Sequence, residues 1–376
     1  MEQSKNPFII SGYVCPEYFC DREKETQKLI SALENGRNVS LISPRRYGKT
    51  GLIQHTFYKI KEQKNDIFCF YLDIFATQNL HDFTLLFGQT VLEKLDDFSE
   101  TAIKKITSFF KNFRPLFSFD PVTCEPYISF DIKPEHADAS LREIFDYIKQ
   151  SGKRCYIAID EFQQITEYPE KGTEALLRSH IQFLTNVNFI FAGSKKHIMD
   201  TMFSAANRPF YQSTQKMNLQ KIPLETYCNF AQKHFENKNK TLNIEIFEKI
   251  YALVSGHTWY IQSILNNLFV ITENATEQDV ETVVNNALEE ENSTYKTYCD
   301  LLTKGQLNVL SAIAKERGIA AVTSTDFIKK YNLSAASSVK IAVKALINKS
   351  LVLKSDDGNY FVYDRYFGLW LERNIK

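Results

Sequence analysis

The sequence predicts an α/β fold: a parallel sheet with helices on both faces, then a helical segment, then a C-terminal winged helix. Three observations predict it. The runs Ile67–Leu72, Cys155–Ile159 and Phe189–Ala192 are continuously apolar and of strand length, which is how strands read when both sheet faces are covered. Helical patterns over 80–111, 139–150 and 172–185 alternate with these runs, as in a parallel sheet. After Pro223 the strand signal stops, and the last part of the chain reads as three helices and a β-hairpin.

Taken in order, the chain begins with an aromatic-rich stretch (Phe8, Tyr13, Tyr18, Phe19) that becomes the charged, helical Asp21–Glu25. A short β-branched strand over 38–42 leads through a Gly-containing turn into a helix from Lys49 to Lys61. Segment 112–138 breaks the rhythm with Pro115, Pro121, Pro126 and Pro134, and reads as an inserted hairpin or loop over the sheet. Residues 225–297 read as several helices ending in Glu289-Glu290-Glu291. From Leu301 a helix carries Leu307, Leu310 and Ile313 on one face, and a second is opened by Ser324 or Thr325. A third helix covers about 334–348, and two strands flank the turn Asp356-Asp357-Gly358-Asn359.

At 376 residues, 44% hydrophobic and 24% charged, the chain is long enough for two or three domains with ordinary cores. Lys+Arg and Asp+Glu are each 45, which argues against a basic coat or acidic tail. That neutrality hides an imbalance, since 301–376 holds 12 Lys or Arg against 6 Asp or Glu. Seven cysteines without a CxxC, no leader-like start and no apolar run near 18 residues lead us to expect a reduced, cytoplasmic protein, neither secreted nor membrane-bound.

The strongest chemical signal is Ser43-Pro44-Arg45-Arg46-Tyr47-Gly48-Lys49-Thr50. It has the spacing of a P-loop, with Ser43 in place of the first glycine. Between a strand and a helix, such a loop aims backbone N–H groups and the positive end of the helix dipole at a phosphate. Gly48 allows close backbone approach, Lys49 reaches the β- and γ-phosphates, Thr50 can hold Mg²⁺, and Arg45 and Arg46 add positive charge. About 110 residues later the apolar strand Cys155–Ile159 delivers Asp160-Glu161. An Asp so placed holds Mg²⁺ in P-loop enzymes, and the following Glu suits a general base for water. Alone the pair could be two solvated acids; behind a P-loop it points to ATP hydrolysis. The third strand ends in Gly193-Ser194, where Ser194 can orient the lytic water or sense the γ-phosphate, or merely cap the next helix.

With Asn6-Pro7-Phe8, Phe19-Cys20-Asp21-Arg22-Glu23-Lys24-Glu25, the loop Ser43–Thr50, Asp160-Glu161, Gly193-Ser194 and Ser255-Gly256-His257 in this order, the chain resembles the archaeal and bacterial predicted ATPases of the AAA+/STAND group, P-loop NTPases with a C-terminal winged helix. The resemblance implies an AAA+-like ATPase core over 1–222, a helical lid over 223–297 and a winged-helix domain over 298–376. It makes Ser43 a family trait. It places Phe19 and Arg22 near the adenine, extends the nucleotide contacts through Gly51, and turns His257 toward the phosphates, with Thr258 where relatives carry Pro. Relatives also carry an Arg after a Pro-aromatic-aromatic stretch. Here Arg208-Pro209-Phe210-Tyr211-Gln212 has Gln at that place, so either Arg208 substitutes or the arginine finger is absent and turnover is slow.

Within 334–348, Val339, Ala342, Val343, Leu346 and Ile347 form one helical face, and Ser337, Lys340 and Lys344 another. A basic helix face of this kind can enter a major groove, with Lys329, Lys330, Lys349 and Lys354 as further phosphate contacts. Winged helices also dock proteins, and the absence of Arg here disfavours guanine reading. The expected activity is therefore Mg²⁺-dependent ATP binding and hydrolysis, with ATP or ADP acting through the lid and winged helix as a switch. Two alternatives are a DNA-binding ATPase in defence, mobile-element or replication-related work, and a nucleotide-responsive scaffold with negligible hydrolysis. Partners are a nucleotide and either double-stranded DNA or a protein, and an oligomer is compatible with both.

Overall fold

A computed structural model describes residues 6–95, 100–112, 114–119, 126–355 and 358–375. They divide into two compact units, Ser11–Ile222 and a second that joins the N-terminal residues up to Ile10 with Pro223–Lys376.

The first unit comprises α1 (Glu23–Glu34), β1 (Val39–Ile42), α2 (Lys49–Gln63), β2 (Ile67–Asp73), α3 (Leu80–Leu95), α4 (Glu100–Phe109), β3 (Arg114–Phe119), β4 (Pro126–Asp131), α5 (Ala137–Ser151), β5 (Arg154–Asp160), α6 (Thr173–Ile181), β6 (Val187–Gly193), α7 (Lys196–Ser204) and β7 (Gln215–Asn218). Five strands form one parallel sheet in the order β2-β5-β6-β1-β7. Successive strand residues point to opposite faces, and here both faces are buried. On β5, Ile157 and Ile159 join a core with α3, α5 and α7, whereas Tyr156 and Ala158 join one with α1 and α2. On β6, Phe189 and Phe191 face the first core, Ile190 and Ala192 the second. This two-sided burial is why the strands read as unbroken apolar runs.

The stretch read as one helical region over 80–111 holds two helices, α3 and α4. The inserted segment 112–138 contains the antiparallel hairpin β3–β4; residues 113 and 120–125 of it, Pro121 among them, lie outside the described residues. The hairpin runs beside α3 and α4, and the His81 Nε2 atom meets the Ile132 carbonyl at 2.9 Å.

The second unit comprises α8 (Leu224–Glu236), α9 (Ile244–Leu253), α10 (Thr258–Ile271), α11 (Glu277–Glu290), α12 (Asn292–Asp300), α13 (Lys304–Glu316), α14 (Thr325–Lys330), α15 (Ala336–Asn348), β8 (Val352–Lys354), β9 (Tyr360–Val362) and α16 (Arg365–Asn374). Three helices and the antiparallel pair β8–β9 make the winged helix. Ser324 caps α14 by accepting from the Phe327 N–H. Asp356 and Asp357 of the expected turn lie outside the described residues.

The division into units differs from the sequence-based one in two respects. Residues 6–10 belong to the helical unit, because Phe8 is fully buried among the rings of Phe230, His234, Phe235 and Phe269. Asn6 and Asn266 fasten it from both sides, Asn6 Nδ2 donating to the Asn266 carbonyl at 2.9 Å and Asn266 Nδ2 to the Phe8 carbonyl at 2.7 Å. Secondly, the helices of 223–297 and the winged helix pack as one unit. The reason is α16, a helix beyond the three-helix pattern. Its Phe367 stacks on Tyr295, its Trp370 indole donates to Asn292, and its Tyr366 hydroxyl reaches Ser263.

Candidate nucleotide site

The sheet order brings the site together. Strand β6 lies between β1, which feeds the P-loop, and β5, which ends in Asp160. Residues following the C-terminal ends of these three strands must therefore converge, at the edge where open parallel sheets bind ligands.

The loop leaves β1 at Ser43 and enters α2 at Lys49. Gly48 has φ 90°, in the left-handed region where a side chain is strained. Arg46 also has positive φ, at 67°. Ser43 and Lys49 are buried, and the Lys49 ammonium donates to the Ser43 carbonyl at 3.2 Å. Burial pushes the Lys49 ammonium below its ordinary value, against the pull of Asp160 and Glu161. Pro44 is half-buried, and Arg45 and Arg46 lie exposed on the rim. The Arg45 guanidinium sits 4.8 Å from the centre of the Phe75 ring.

Across the loop, Thr50 Oγ1 donates to Asp160 Oδ2 at 2.7 Å, and the Tyr71 hydroxyl donates to the same oxygen at 2.9 Å. Asp160 Oδ1 accepts from the Glu161 N–H at 2.9 Å. Glu161 has φ 53° at the strand end, which swings its carboxylate out of the sheet. There Glu161 Oε2 accepts from Ser194 Oγ at 2.6 Å and from the Gln163 side-chain amide. Burial pushes the Glu161 carboxyl up, but Lys49 and the hydrogen bonds from Ser194 and Gln163 outweigh it and hold the group below its ordinary value. The base candidate is thus ionised at neutral pH. Ser194 makes no side-chain cap for α7, whose N-cap is Lys195; its hydroxyl serves Glu161 instead.

Two expected contacts are used differently. The Arg22 guanidinium is buried and engaged by Glu25 Oε1 at 3.0 Å, the Gln220 carbonyl at 2.7 Å and the Tyr47 carbonyl at 3.2 Å. It ties the loop at Tyr47 to Gln220 and Glu25. Arg208 forms an ion pair with Glu174 of α6, which occupies the group considered as a substitute finger. Phe19 stacks on His55 with ring centres 4.5 Å apart. A Cβ on Gly51 would lie 3.1 Å from the Phe19 ring, so Gly51 makes room for it. His257 is in the second unit, buried at the N-cap of α10. Ser337, Lys340 and Lys344 are exposed on the outer face of α15.

Sequence reading missed Tyr71, Asp73 and Gln163. Asp73 is the register partner of Asp160 at the end of β2; burial, with Asp160 and Glu161 nearby, pushes its carboxyl up. The apolar run ending in Asp73 was legible, but its adjacency to β5 is a matter of topology. Gln163, two residues after Glu161, is buried within the turn and carried no independent signal.

Two uncharacterized ATP-binding proteins of Methanocaldococcus jannaschii are similar to this chain. One is 27% identical over 270 residues, 66% of this chain and 70% of its own length. The other is 23% identical over 297 residues, 73% of this chain and 78% of its own. Among solved structures, a Walker-type ATPase of Pyrococcus abyssi is superposable with a TM-score of 0.67 at 16% identity, covering 97% of this chain and 99% of that one. The Aeropyrum pernix ORC2 protein follows at 0.58 and 16%, covering 98% and 96%. These likenesses are of fold: a P-loop ATPase core with a winged helix. Residues 293–373 match the family described as "Probable winged helix domain". The site built on β1, β5 and β6 lies within residues 19–264, which match the model of the "ATPase domain predominantly from Archaea", and the chain belongs to that family.

Proposed function

We propose that the chain hydrolyses ATP with Mg²⁺ at Ser43–Thr50, and that its nucleotide state acts as a switch upon the unit holding the winged helix. One observation carries the hydrolysis reading: Glu161, hydrogen-bonded by Ser194, stands beside Lys49 and Asp160 at a single sheet edge. A binding loop alone has no use for such a carboxylate.

The residues fit a magnesium ion. Thr50 Oγ1 and Asp160 Oδ2 lie 2.7 Å apart, two hard oxygens able to share one octahedral cation that otherwise keeps waters and phosphate oxygens. When bound, the ion neutralises charge on the phosphates. The chain's own groups do the rest. The loop N–H groups and the α2 dipole hold the phosphates. Lys49, turned from the Ser43 carbonyl, meets the negative charge that develops in the transition state. Glu161 accepts a proton from water in line with the γ-phosphate, and Ser194 keeps that carboxylate aimed. With Arg208 held by Glu174, turnover is slow, as a switch requires.

Phosphate release from ATP, measured beside the Glu161→Gln protein, tests this reading. Turnover lost in the variant with nucleotide binding kept is the expected result; equal release from both proteins would sink the enzyme assignment. A second reading, DNA association, is favoured by the outward display of Lys340 and Lys344 on α15. Its test is salt-dependent binding of double-stranded DNA that charge reversal at both lysines abolishes.

A further inference from the structure

Arg22 joins two backbone segments far apart in sequence. Its Nη2 donates to the carbonyl of Tyr47 in the P-loop, and its Nη1 to the carbonyl of Gln220. Gln220 belongs to the short connector 219–222 that follows β7, after which the chain leaves this unit at Ile222. The connector is also tied to the strand that feeds the loop, since the Leu219 N–H donates to the carbonyl of Ile42 at 3.0 Å, at the end of β1. Glu25 holds the guanidinium from the α1 side. Arg22 is only 3% exposed, and its bond to Tyr47 is buried, where charge-assisted hydrogen bonds are strongest.

The Tyr47 bond has a stereochemical consequence. In a trans peptide the C=O of one residue and the N–H of the next point in opposite directions within one plane. Pinning the Tyr47 carbonyl back onto Arg22 therefore turns the Gly48 N–H to the opposite side, away from Arg22. That is the direction a loop amide needs to meet a phosphate oxygen. Within the loop Gly48, and two residues before it Arg46, have left-handed backbone conformations.

We infer that Arg22 is a positioning residue: it orients the Tyr47–Gly48 peptide for phosphate and binds that peptide rigidly to connector 219–222, so that phosphate occupancy of the loop and the conformation of the connector are one equilibrium. The inference rests on the nucleotide-site reading. Whatever shifts the Tyr47 carbonyl is felt at Gln220, one guanidinium away, and whatever pulls on the connector alters the loop's grip on phosphate. By reciprocity the two effects are equal in size.

Hydrogen–deuterium exchange of the wild-type chain with and without Mg-ADP gives the direct test. The expected result is slowed exchange in 45–50 together with 219–222. Slowing in 45–50 with 219–222 unchanged would overturn the inference while leaving the nucleotide site intact. No slowing in either segment would overturn the nucleotide reading and this inference with it. Arg22→Gln should weaken ADP binding on the order of tenfold or more, the range for losing charge-assisted hydrogen bonds, and uncouple exchange at 219–222 from ADP. Arg22→Lys, which keeps the charge and can reach one carbonyl, should fall between. A folded Arg22→Gln protein that binds ADP like wild type would show a merely structural residue. Should that variant fail to fold, the wild-type exchange experiment decides alone.

Discussion

Ser194 Oγ donates to Glu161 Oε2 at 2.6 Å, and this bond aims the candidate base and, after Lys49 and together with Gln163, lowers its proton affinity. A serine hydroxyl has one proton to give. While it goes to Glu161, the carboxylate is stabilised in its charged form; if it goes to a phosphate oxygen, Glu161 regains proton affinity. The pair thus links the end of β6 to the chemistry at the end of β5.

Ser194→Ala should lower turnover by about tenfold to a hundredfold, less than Glu161→Gln, for which a loss of about 10²–10⁴ is the usual scale for an acid–base group. Both variants should keep nucleotide binding. Single-turnover phosphate release with a parallel binding titration checks the order; a Ser194→Ala protein as slow as Glu161→Gln would mean that Ser194 does more than orient.

Lys49 and the two hydrogen bonds hold the Glu161 carboxyl below the usual glutamate value of 4.5, against burial. A group lowered in this way is ionised across neutral pH and loses its charge only as pH falls through its folded value. Any stability it contributes is likewise present above the unfolded value and lost below. Turnover should therefore be flat from pH 8 down to about pH 5 as far as Glu161 is concerned. In Ser194→Ala the acid limb should move upward. A pH–rate profile with an acid limb near 7 in wild type would contradict this assignment.

Gly193 is fixed by close approach. A Cβ there would lie 2.4 Å from Gln163 Oε1 and 2.6 Å from Met199 Sδ, both in side chains packed in the interior. Gly193→Ala should destabilise the first unit by about 1–3 kcal/mol, the usual scale of overpacking, and reduce turnover by displacing Gln163 from Glu161. Urea midpoints with unchanged slope, set beside phosphate release, would check both effects.

Phe8 anchors the N-terminal segment in the helical unit. Phe8→Ala should remove about 3–5 kcal/mol of stability, as is usual for a large buried ring. Thermal unfolding followed through Trp259 and Trp370, both in the same unit, should shift downward, and nucleotide binding by the first unit should not.

The sequence by itself determined the parts that depend on local pattern. Strands buried on both faces demand unbroken apolar runs, and a phosphate loop demands Gly-Lys-Thr at a strand-to-helix turn; Ile157, Phe189, Gly48 and Lys49 could be read for that reason. The winged helix was legible in the same way, from the spacing of Val339, Val343 and Leu346. Only tertiary structure decided which distant groups meet. The insertion of β6 between β1 and β5 brings Ser194 to Glu161, and the neighbouring β2 brings Tyr71 to Asp160. Arg22 joins Tyr47 to Gln220 because 198 residues of chain fold back to place that second carbonyl within 2.7 Å. Phe8, read with 1–222 and packed among residues after Pro223, makes the same point: hydrophobic periodicity reports that a side chain is buried, but only the folded chain supplies the partners that bury it.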